Sequence, residues 1–478
     1  MDVIQALEQA LNKNCILSSE EACRPYECDG LSAYRQKPLA VALPENAEQV
    51  KQVLKICKAH KPPVITRGSG TGLAGGTLPL KNSVVLGLSK LNKILEIDPL
   101  QRTAIVQPGV RNIQVSDAAA KYGLYYAPDP SSQVACSIGG NVAENSGGVH
   151  CLKYGLTVHN VTSLTVLDMD GEIIRFDEKD DGLDLLALLN GSEGLLGVII
   201  EIKLKLIPKP EAAQLVMAAF KSVKACADAV TSVLKQGIVP AGLEMMDKFS
   251  IQAAEDFAQV GYPLEAAALL LCEVDGSHDQ VKVDAQRVAD ILTQNGAYEI
   301  RVSQNEKERN ELWQGRKNAF PAVGRYSPDY YCMDGTIPRS KLAYVLEEID
   351  KLSDKYGLKV ANVFHAGDGN LHPLILYDAN KPGELKLTEQ FGQEILKLCV
   401  DVGGTITGEH GVGVEKLDSM CHQYPEAELE IFHGIKNVFD DSGLLNPGKA
   451  VPTLHRCAEL GHMHVHNNQL PHPELERF

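Results

Sequence analysis

Two short segments of this 478-residue chain gather side chains that could move a proton or hold a cation. In Val363-Phe364-His365-Ala366-Gly367-Asp368-Gly369-Asn370-Leu371-His372-Pro373, strand-like runs flank a Gly-Asp-Gly-Asn turn. A hairpin there brings His365 and His372 to about 5 Å between Cβ atoms. Further on, Thr405-Ile406-Thr407-Gly408-Glu409-His410-Gly411-Val412-Gly413 sets a carboxylate beside another imidazole in a glycine-flanked loop. Two imidazoles and one carboxylate can hold a divalent ion and leave positions open for substrate oxygens. The spacing is not a named metal motif. On spacing alone, hydrogen-bonded loop histidines beside a surface carboxylate are an equal reading. Arg316, within Glu311-Leu312-Trp313-Gln314-Gly315-Arg316-Lys317-Asn318-Ala319, has the planar fork that captures carboxylates, though in isolation it reads as a helix-surface charge.

A second kind of chemistry lies in three glycine loops. The densest is Arg67-Gly68-Ser69-Gly70-Thr71-Gly72-Leu73-Ala74-Gly75-Gly76. It contains a GxGxxG string, but Thr77-Leu78-Pro79-Leu80 leads into another strand-like run where a dinucleotide-binding Rossmann turn requires a helix. No Lys-Ser/Thr completes a P-loop. What remains is a nest of backbone N–H groups, with hydroxyls from Ser69 and Thr71 and charge from Arg67, into which a pyrophosphate fits. The competing reading is a double turn that only reverses the chain. Pro128 to Gly148, which includes Ser137-Ile138-Gly139-Gly140-Asn141, and Gly191-Ser192-Glu193-Gly194-Leu195-Leu196-Gly197-Val198-Ile199 supply two more such loops. Three of them suit an elongated ligand with a flat ring at one end.

The elements that must position these loops change texture along the chain. Short β-type runs punctuated by glycine occur at 63–66, 83–86, 103–106, 161–168, 173–176 and 197–206, with a helical pattern at Asn46 to His60. From about residue 211 the elements lengthen: strand-like 214–220 and 269–274, and helices at 222–236, 278–294 and 340–356. Strands with helices segregated to one side suit an open antiparallel sheet. Pro425 opens a last helix that Gly443 is expected to end. The expected organisation is α+β: an N-terminal helical segment (1–37), a glycine-loop domain (38–210), a larger domain carrying the histidines (211–450), and a tail (451–478) holding five of the 14 histidines.

Composition narrows the class. Hydrophobic residues make up 44% and charged residues 23%, which excludes collagen-like, disordered and coiled-coil chains. A net charge of −16 argues against binding nucleic acid or anionic lipid through counterion release. No apolar stretch approaches the roughly 18 residues that span a bilayer, and the start lacks the basic, apolar and small-residue regions of a secretory signal, so a cytoplasmic location is expected. The 12 cysteines contain no CxxC, which removes the usual iron–sulfur and structural-zinc spacings.

The loop at 67–76, the segment 128–148 and the run 191–199 together resemble the flavin-binding domain of the vanillyl-alcohol-oxidase or p-cresol methylhydroxylase type. Through the C-terminal motifs the resemblance extends to FAD-linked 2-hydroxyacid dehydrogenases. It is particularly marked with the flavoprotein subunits of bacterial glycolate oxidases, including the end Leu454-His455-Arg456-Cys457-Ala458-Glu459-Leu460-Gly461.

The resemblance implies a p-cresol methylhydroxylase-type FAD-binding domain followed by an FAD-linked oxidase domain. It implies that Arg67, Gly68, Ser69, Gly70, Thr71 and Gly72 hold the FAD pyrophosphate. Pro130, Ser131, Ser137, Gly139, Gly140 and Asn141 would line the dinucleotide, and Glu193, Gly194, Gly197 and Val198 would close its adenosine side. The first loop has no histidine, so non-covalent FAD is expected. The same likeness makes His365, His372 and Glu409 ligands of a divalent metal, zinc in many relatives, Asn370 a substrate contact, His410 the general base and Arg316 the clamp on a substrate carboxylate. Cys332 stands where 2-hydroxyglutarate-specific relatives carry lysine, which weakens the case for a dicarboxylate and leaves Tyr330 or Tyr331 as pocket residues. The implied activity is oxidation of glycolate, with D-lactate as a further substrate. Implied partners are an iron–sulfur subunit and a second FAD-binding subunit, passing electrons to a quinone or other carrier, with the complex at the inner face of the membrane. Alternatives are a stand-alone D-lactate or D-2-hydroxyglutarate dehydrogenase, a non-catalytic docking component of an electron-transfer complex, and a metal-dependent hydrolase, which gives the glycine loops no role.

Overall fold

A computed structural model describes residues 2–453. The expectations about the histidine-rich tail, and about the end at 454–461, lie outside these residues. Among the described residues there are three larger sheets and a two-stranded one that pairs Leu124–Tyr125 with Ile207–Pro208. The first runs in the order Ile16–Leu17, Ala40–Ala42, Val84–Gly87, Val64–Arg67, its last three strands parallel. Helix Ala47–His60 covers it: Asn46 caps the start by accepting the Gln49 N–H, and Lys61 ends it at φ 69°. Val50, Val53, Leu54 and Cys57 are its buried face. Each such aliphatic side chain contributes about 1.5–3 kcal/mol on burial.

The second sheet is five-stranded and antiparallel, in the order Ile94–Asp98, Thr103–Val106, Val198–Lys205, Val161–Leu167, Ile173–Asp177. The β-type runs expected from the sequence all fall in these two sheets. No helix follows Arg67, which agrees with the rejected Rossmann reading. Helix Ile138–Glu144 lies between the sheets' loops, with Ser137 Oγ accepting the Gly140 N–H and Asn145 closing it at φ 54°.

The third sheet is open and antiparallel with nine strands, running Ala297–Val302, Ala212–Phe220, Ala268–Gly276, Gly242–Asp247, Val360–His365, Asn370–Leu371, Gly335–Thr336, with Asp329–Cys332 and Pro373–Tyr377 paired beside this path. The helices are not confined to one side. Val216, Ala218 and Phe220 face helices Val223–Lys235 and His278–Gln294, whereas Leu215, Met217 and Ala219 face helices Lys248–Ala258 and Glu306–Lys317. Strand 212–220 is apolar on both faces, which requires cover on both. The helix at 426 stops at Phe439, before Gly443, because Asp440 leaves the helical region at φ −145° and ψ 85° and its carboxylate takes Lys436 and the Leu445 N–H. Within the expected N-terminal helical segment the first helix is Val3–Ala10. Among the described residues no helix is long and apolar enough to cross a membrane.

Candidate active site

The glycine loops meet at a cavity of about 400 Å³. Gly68, Ser69, Gly70, Thr71, Gly72, Pro130, Ser131, Ser137, Gly140 and Asn141 form one side of its wall, and His372, Glu409 and His410 form the other. A narrow extension of about 60 Å³, walled by Gly139, Glu193, Gly194 and Gly197, shares Gly68, Thr77, Gly140 and Glu144 with it. Glycine is required here by space. A Cβ on Gly68 would drive into Ser137 Oγ, and one on Gly139 would come within 2.5 Å of Pro108. The walls also carry buried polar atoms with no protein partner: Asn141 Nδ2, Glu144 Oε2 and, in the extension, Thr66 Oγ1. Burial, with Glu193 nearby, pushes the Glu144 carboxyl well above the usual range. Backbone amides without side-chain bulk, ending in unmet donors and acceptors, fit a flavin dinucleotide.

Two residues expected in this wall are not in it. Arg67 lies beneath the loop, its Nη1 donating to Cys28 O at 2.6 Å and Thr77 Oγ1 at 3.3 Å, so it braces the turn from inside. Val198 is fully buried in the core. Glu193 lines the extension, but its carboxylate accepts the N–H groups of Val412 and Gly413 at 2.7 Å each, clasping the histidine-bearing half.

Across the cavity, the 360–365 strand and the 370–377 segment fold back as the Gly-Asp-Gly-Asn turn requires. His365 pairs with Asn370 and Asn362 with Pro373, and the His365 and His372 rings stand 5.1 Å apart. Their Nε2 atoms each lie 3.3 Å from Glu409 Oε1. His372 Nε2 makes no aligned hydrogen bond. The donor atoms of His365, His372 and Glu409 all fall within 4.8 Å of one another, as do those of Asp334, His372 and His410. Two imidazole nitrogens converging on one carboxylate oxygen, one of them unsatisfied, is a donor set that suits a divalent cation. His365 Nδ1 is held by Glu244 Oε1 at 2.7 Å, the carboxylate–imidazole arrangement that fixes a ligand's tautomer. Burial disfavours charge on His365, but Glu244 and Glu409 outweigh it and raise its pKa well above the usual value. Burial likewise works against the Glu409 anion, and His365 and His372 overcome it, holding that carboxyl well below its usual range.

His410 differs. Its ring stacks on His372 at 4.8 Å, Nδ1 is buried without a partner, and burial pulls its pKa down to about 4 against the attraction of Asp334. It is therefore a neutral imidazole at neutral pH. Asp334 holds its loop in place. Fully buried, this carboxylate accepts the N–H groups of Gly408 (3.1 Å), Glu409 (3.2 Å) and His410 (2.9 Å), the Thr407 hydroxyl (2.6 Å) and the equally buried Lys416 ammonium (3.0 Å).

Arg316, expected to clamp a substrate, is turned elsewhere: it is 3% exposed, its Nε and Nη2 lie 3.1 and 2.8 Å from Glu244 Oε2, and it does not line the cavity. Its neighbour Lys317 does. Asn370 is buried with Oδ1 unpartnered, against the backbone of Gly408. Tyr330 and Tyr331 are outside the wall, although Tyr330 packs on Phe320, which is in it. Sequence reasoning missed Glu144, Glu244, Asp334 and Lys416.

The halves are joined near the site by His150, 2.8 Å from Asp129 and 3.3 Å from Glu273, with Arg309 and Trp313 also on Glu273. Gly147 N–H donates to Glu409 Oε2 at 3.0 Å, so the histidine cluster is partly held by the glycine-loop half.

Residues 38–177 match the family described as FAD binding domain, and residues 209–450 match FAD linked oxidases, C-terminal domain. The chain is 58% identical over 479 aligned residues to the glycolate oxidase subunit GlcD of Escherichia coli K12, covering 100% of this chain and 96% of that one. It is 33% identical over 420 residues to a D-lactate dehydrogenase of Archaeoglobus fulgidus, covering 87% and 91%. The structure of p-cresol methylhydroxylase with substrate bound superposes with a TM-score of 0.79 at 19% identity over 95% of this chain and 97% of that one, which shows a shared fold. With its glycine loops and histidine cluster bounding one cavity, its two halves matched in order and a relative aligned end to end, the chain belongs to the FAD-linked oxidases.

Proposed function

We propose that this protein oxidises glycolate, and D-lactate as a second substrate, to the 2-oxo acid. The observation that carries the reading is the single cavity bounded by the glycine loops on one side and His372, Glu409 and His410 on the other. It supports a flavin ring and a hydroxy acid meeting there, and the 58% identity to the E. coli subunit supports glycolate. FAD, held without a covalent bond by Gly68 to Gly72, Pro130, Ser131 and Ser137 to Asn141, supplies the hydride acceptor when bound. A divalent ion such as zinc, held by His365, His372 and Glu409, supplies positive charge that favours loss of the hydroxyl proton.

The chain's own residues do the rest. His410 Nδ1, neutral and unpartnered, receives the hydroxyl proton. Asn370, with a free Oδ1, orients the substrate. Glu244 and Arg316 hold His365 at its angle. The sequence has no cluster motif of its own, which supports export of electrons through an iron–sulfur subunit and a second FAD-binding subunit to a quinone or similar carrier, in a cytoplasmic complex at the inner face of the membrane.

The test is the anaerobic visible spectrum of the FAD-loaded chain before and after glycolate, D-lactate and L-lactate. Glycolate and D-lactate should bleach the flavin band and L-lactate should not. A band that glycolate and D-lactate leave intact in metal-replete protein overturns the reading.

A further inference from the structure

Glu193 stands between two sites. It lines the narrow extension of the cavity with Gly194 and Gly197, while its carboxylate reaches across to accept the Val412 and Gly413 N–H groups. Its backbone lies in the left-handed region at φ 49°, which a residue with a side chain keeps only where its surroundings fix it. They do so here: its N–H donates to Ala143 O at 2.8 Å, and its carbonyl accepts from Asn446 Nδ2 at 2.6 Å. Asn446 Nδ2 also donates to Gly76 O at 3.0 Å, and Ala143 and Gly76 belong to the same wall. The segment that Glu193 grips follows Glu409 and His410 directly and has no slack. Gly411 and Gly413 are left-handed at φ 80° and 52°. A Cβ on Gly411 would press on Glu144 Oε2 and come within 3.0 Å of Glu193 Oε1, and one on Gly413 would run into Ala74 O.

We propose that Glu193 couples the two sites, so that a dinucleotide in the glycine-loop groove and a divalent cation at His365, His372 and Glu409 each tighten the other's binding. This rests on the cation reading above and adds a linkage to it. One conformation of Glu193 serves both sites: it shapes the wall of the extension, and it fixes residues 412–413 and through them Glu409. A ligand at either site favours that conformation, and the affinity one ligand gains from the other is returned by the same factor. Close packing leaves the 411–413 turn no room to absorb a shift on one side without passing it to the other. Gly147, which follows Ser146 of the cavity wall and donates to Glu409 Oε2 at 3.0 Å, is a second link. Glu193 is a positioning residue, since it acts on Glu409 only through the turn.

The test uses the FAD-loaded full chain and zinc. The FAD dissociation constant is read from the rise of free-flavin fluorescence on dilution, in zinc-replete protein and in protein stripped by chelator, with zinc content measured in both. Stripping should raise it about tenfold in wild type, and restored zinc should reverse the change. In Glu193→Gln an NH₂ replaces one accepting oxygen, so FAD should bind more weakly in both states and stripping should change its affinity less than about threefold. A residue that only supported the fold would weaken FAD and leave the tenfold ratio intact. If Glu193→Gln retains no flavin, Glu193→Asp, which keeps the charge on a side chain one methylene shorter, should show the same loss of the ratio. A ratio as large in the variant as in wild type overturns the role of Glu193. Wild type that holds zinc and whose FAD affinity ignores its removal overturns the coupling and leaves the cation site standing. Wild type that holds no zinc overturns the cation reading and the coupling together, and the oxidation of hydroxy acids is then judged by flavin bleaching alone.

Discussion

Replacing Asp334 by Asn tests whether one buried carboxylate holds the reactive loop. In Asp334→Asn one oxygen that accepts hydrogen bonds becomes an NH₂ facing other donors, and Lys416, 0% exposed, loses its anionic partner at 3.0 Å. Breaking a buried pair from one side costs about 3–5 kcal/mol. Lys416 keeps Gly411 O at 2.9 Å, which places the expectation near the lower end, about 3 kcal/mol. Trp313, the chain's single tryptophan, is buried in the same half, so its fluorescence during urea unfolding reports that half separately from the flavin. The loop N–H groups of Gly408, Glu409 and His410 lose their anchor as well, and a displacement of about 1 Å at His410 lowers kcat about 100-fold. The double variant Asp334→Asn with Lys416→Met removes the stranded charge. It should recover most of the stability and none of the activity. Stability of Asp334→Asn within about 1 kcal/mol of wild type, or activity regained together with stability in the double variant, refutes the anchor.

Other expectations follow from contacts already described. Gly68→Ala should yield protein without a flavin band, because the new methyl meets Ser137 Oγ, and adding Ser137→Gly should bring the band back; a fully flavinated Gly68→Ala protein contradicts the fit. If His365, His372 and Glu409 hold a divalent ion as proposed, Glu244→Gln should weaken its retention by about 10- to 100-fold, measured as metal content after dialysis against graded chelator. Burial lowers the His150 pKa, but Asp129 and Glu273 outweigh it and raise the net value well above its usual one. Its stabilising effect is therefore complete below about pH 6.5 and is lost as pH rises through the raised folded value. The gap in thermal midpoint between wild type and His150→Gln should narrow from pH 6 to pH 10, and a gap independent of pH removes His150 as a charged clasp.

Much of the fold was legible because its signals are local. Alternating or continuous apolar runs marked the strands, and Val50, Val53, Leu54 and Cys57 marked a helix face by period alone. The unbroken apolar run at 215–220 also announced a strand covered on both sides, a signal the one-sided expectation passed over. The site was legible as a set of residues and much less so as an arrangement. Arg316 and Lys317 differ by about 100° around a helix, and only the packing of that helix decides which one reaches the cavity. Glu244 lies 72 positions from Arg316, and Asp334 lies 82 from Lys416, so nothing near either acid in the chain betrays its partner. Arg67 followed the glycine loop's logic in sequence, yet its length carries it under the loop to Cys28.

The loop bearing Glu409 and His410 is fastened from two directions. Gly147 and Glu193 grip it from the glycine-loop half, and Asp334 and Lys416 grip it from the other. The reactive centre is thus a seam, belonging to neither half alone. Gross hinge-opening between the halves would unpick the very stitches that hold Glu409 and His410 in place. Either half produced separately would carry its share of the thread and no site, and a graft that exchanges one half between relatives would succeed only where the stitches at 147, 193 and 412–413 still meet.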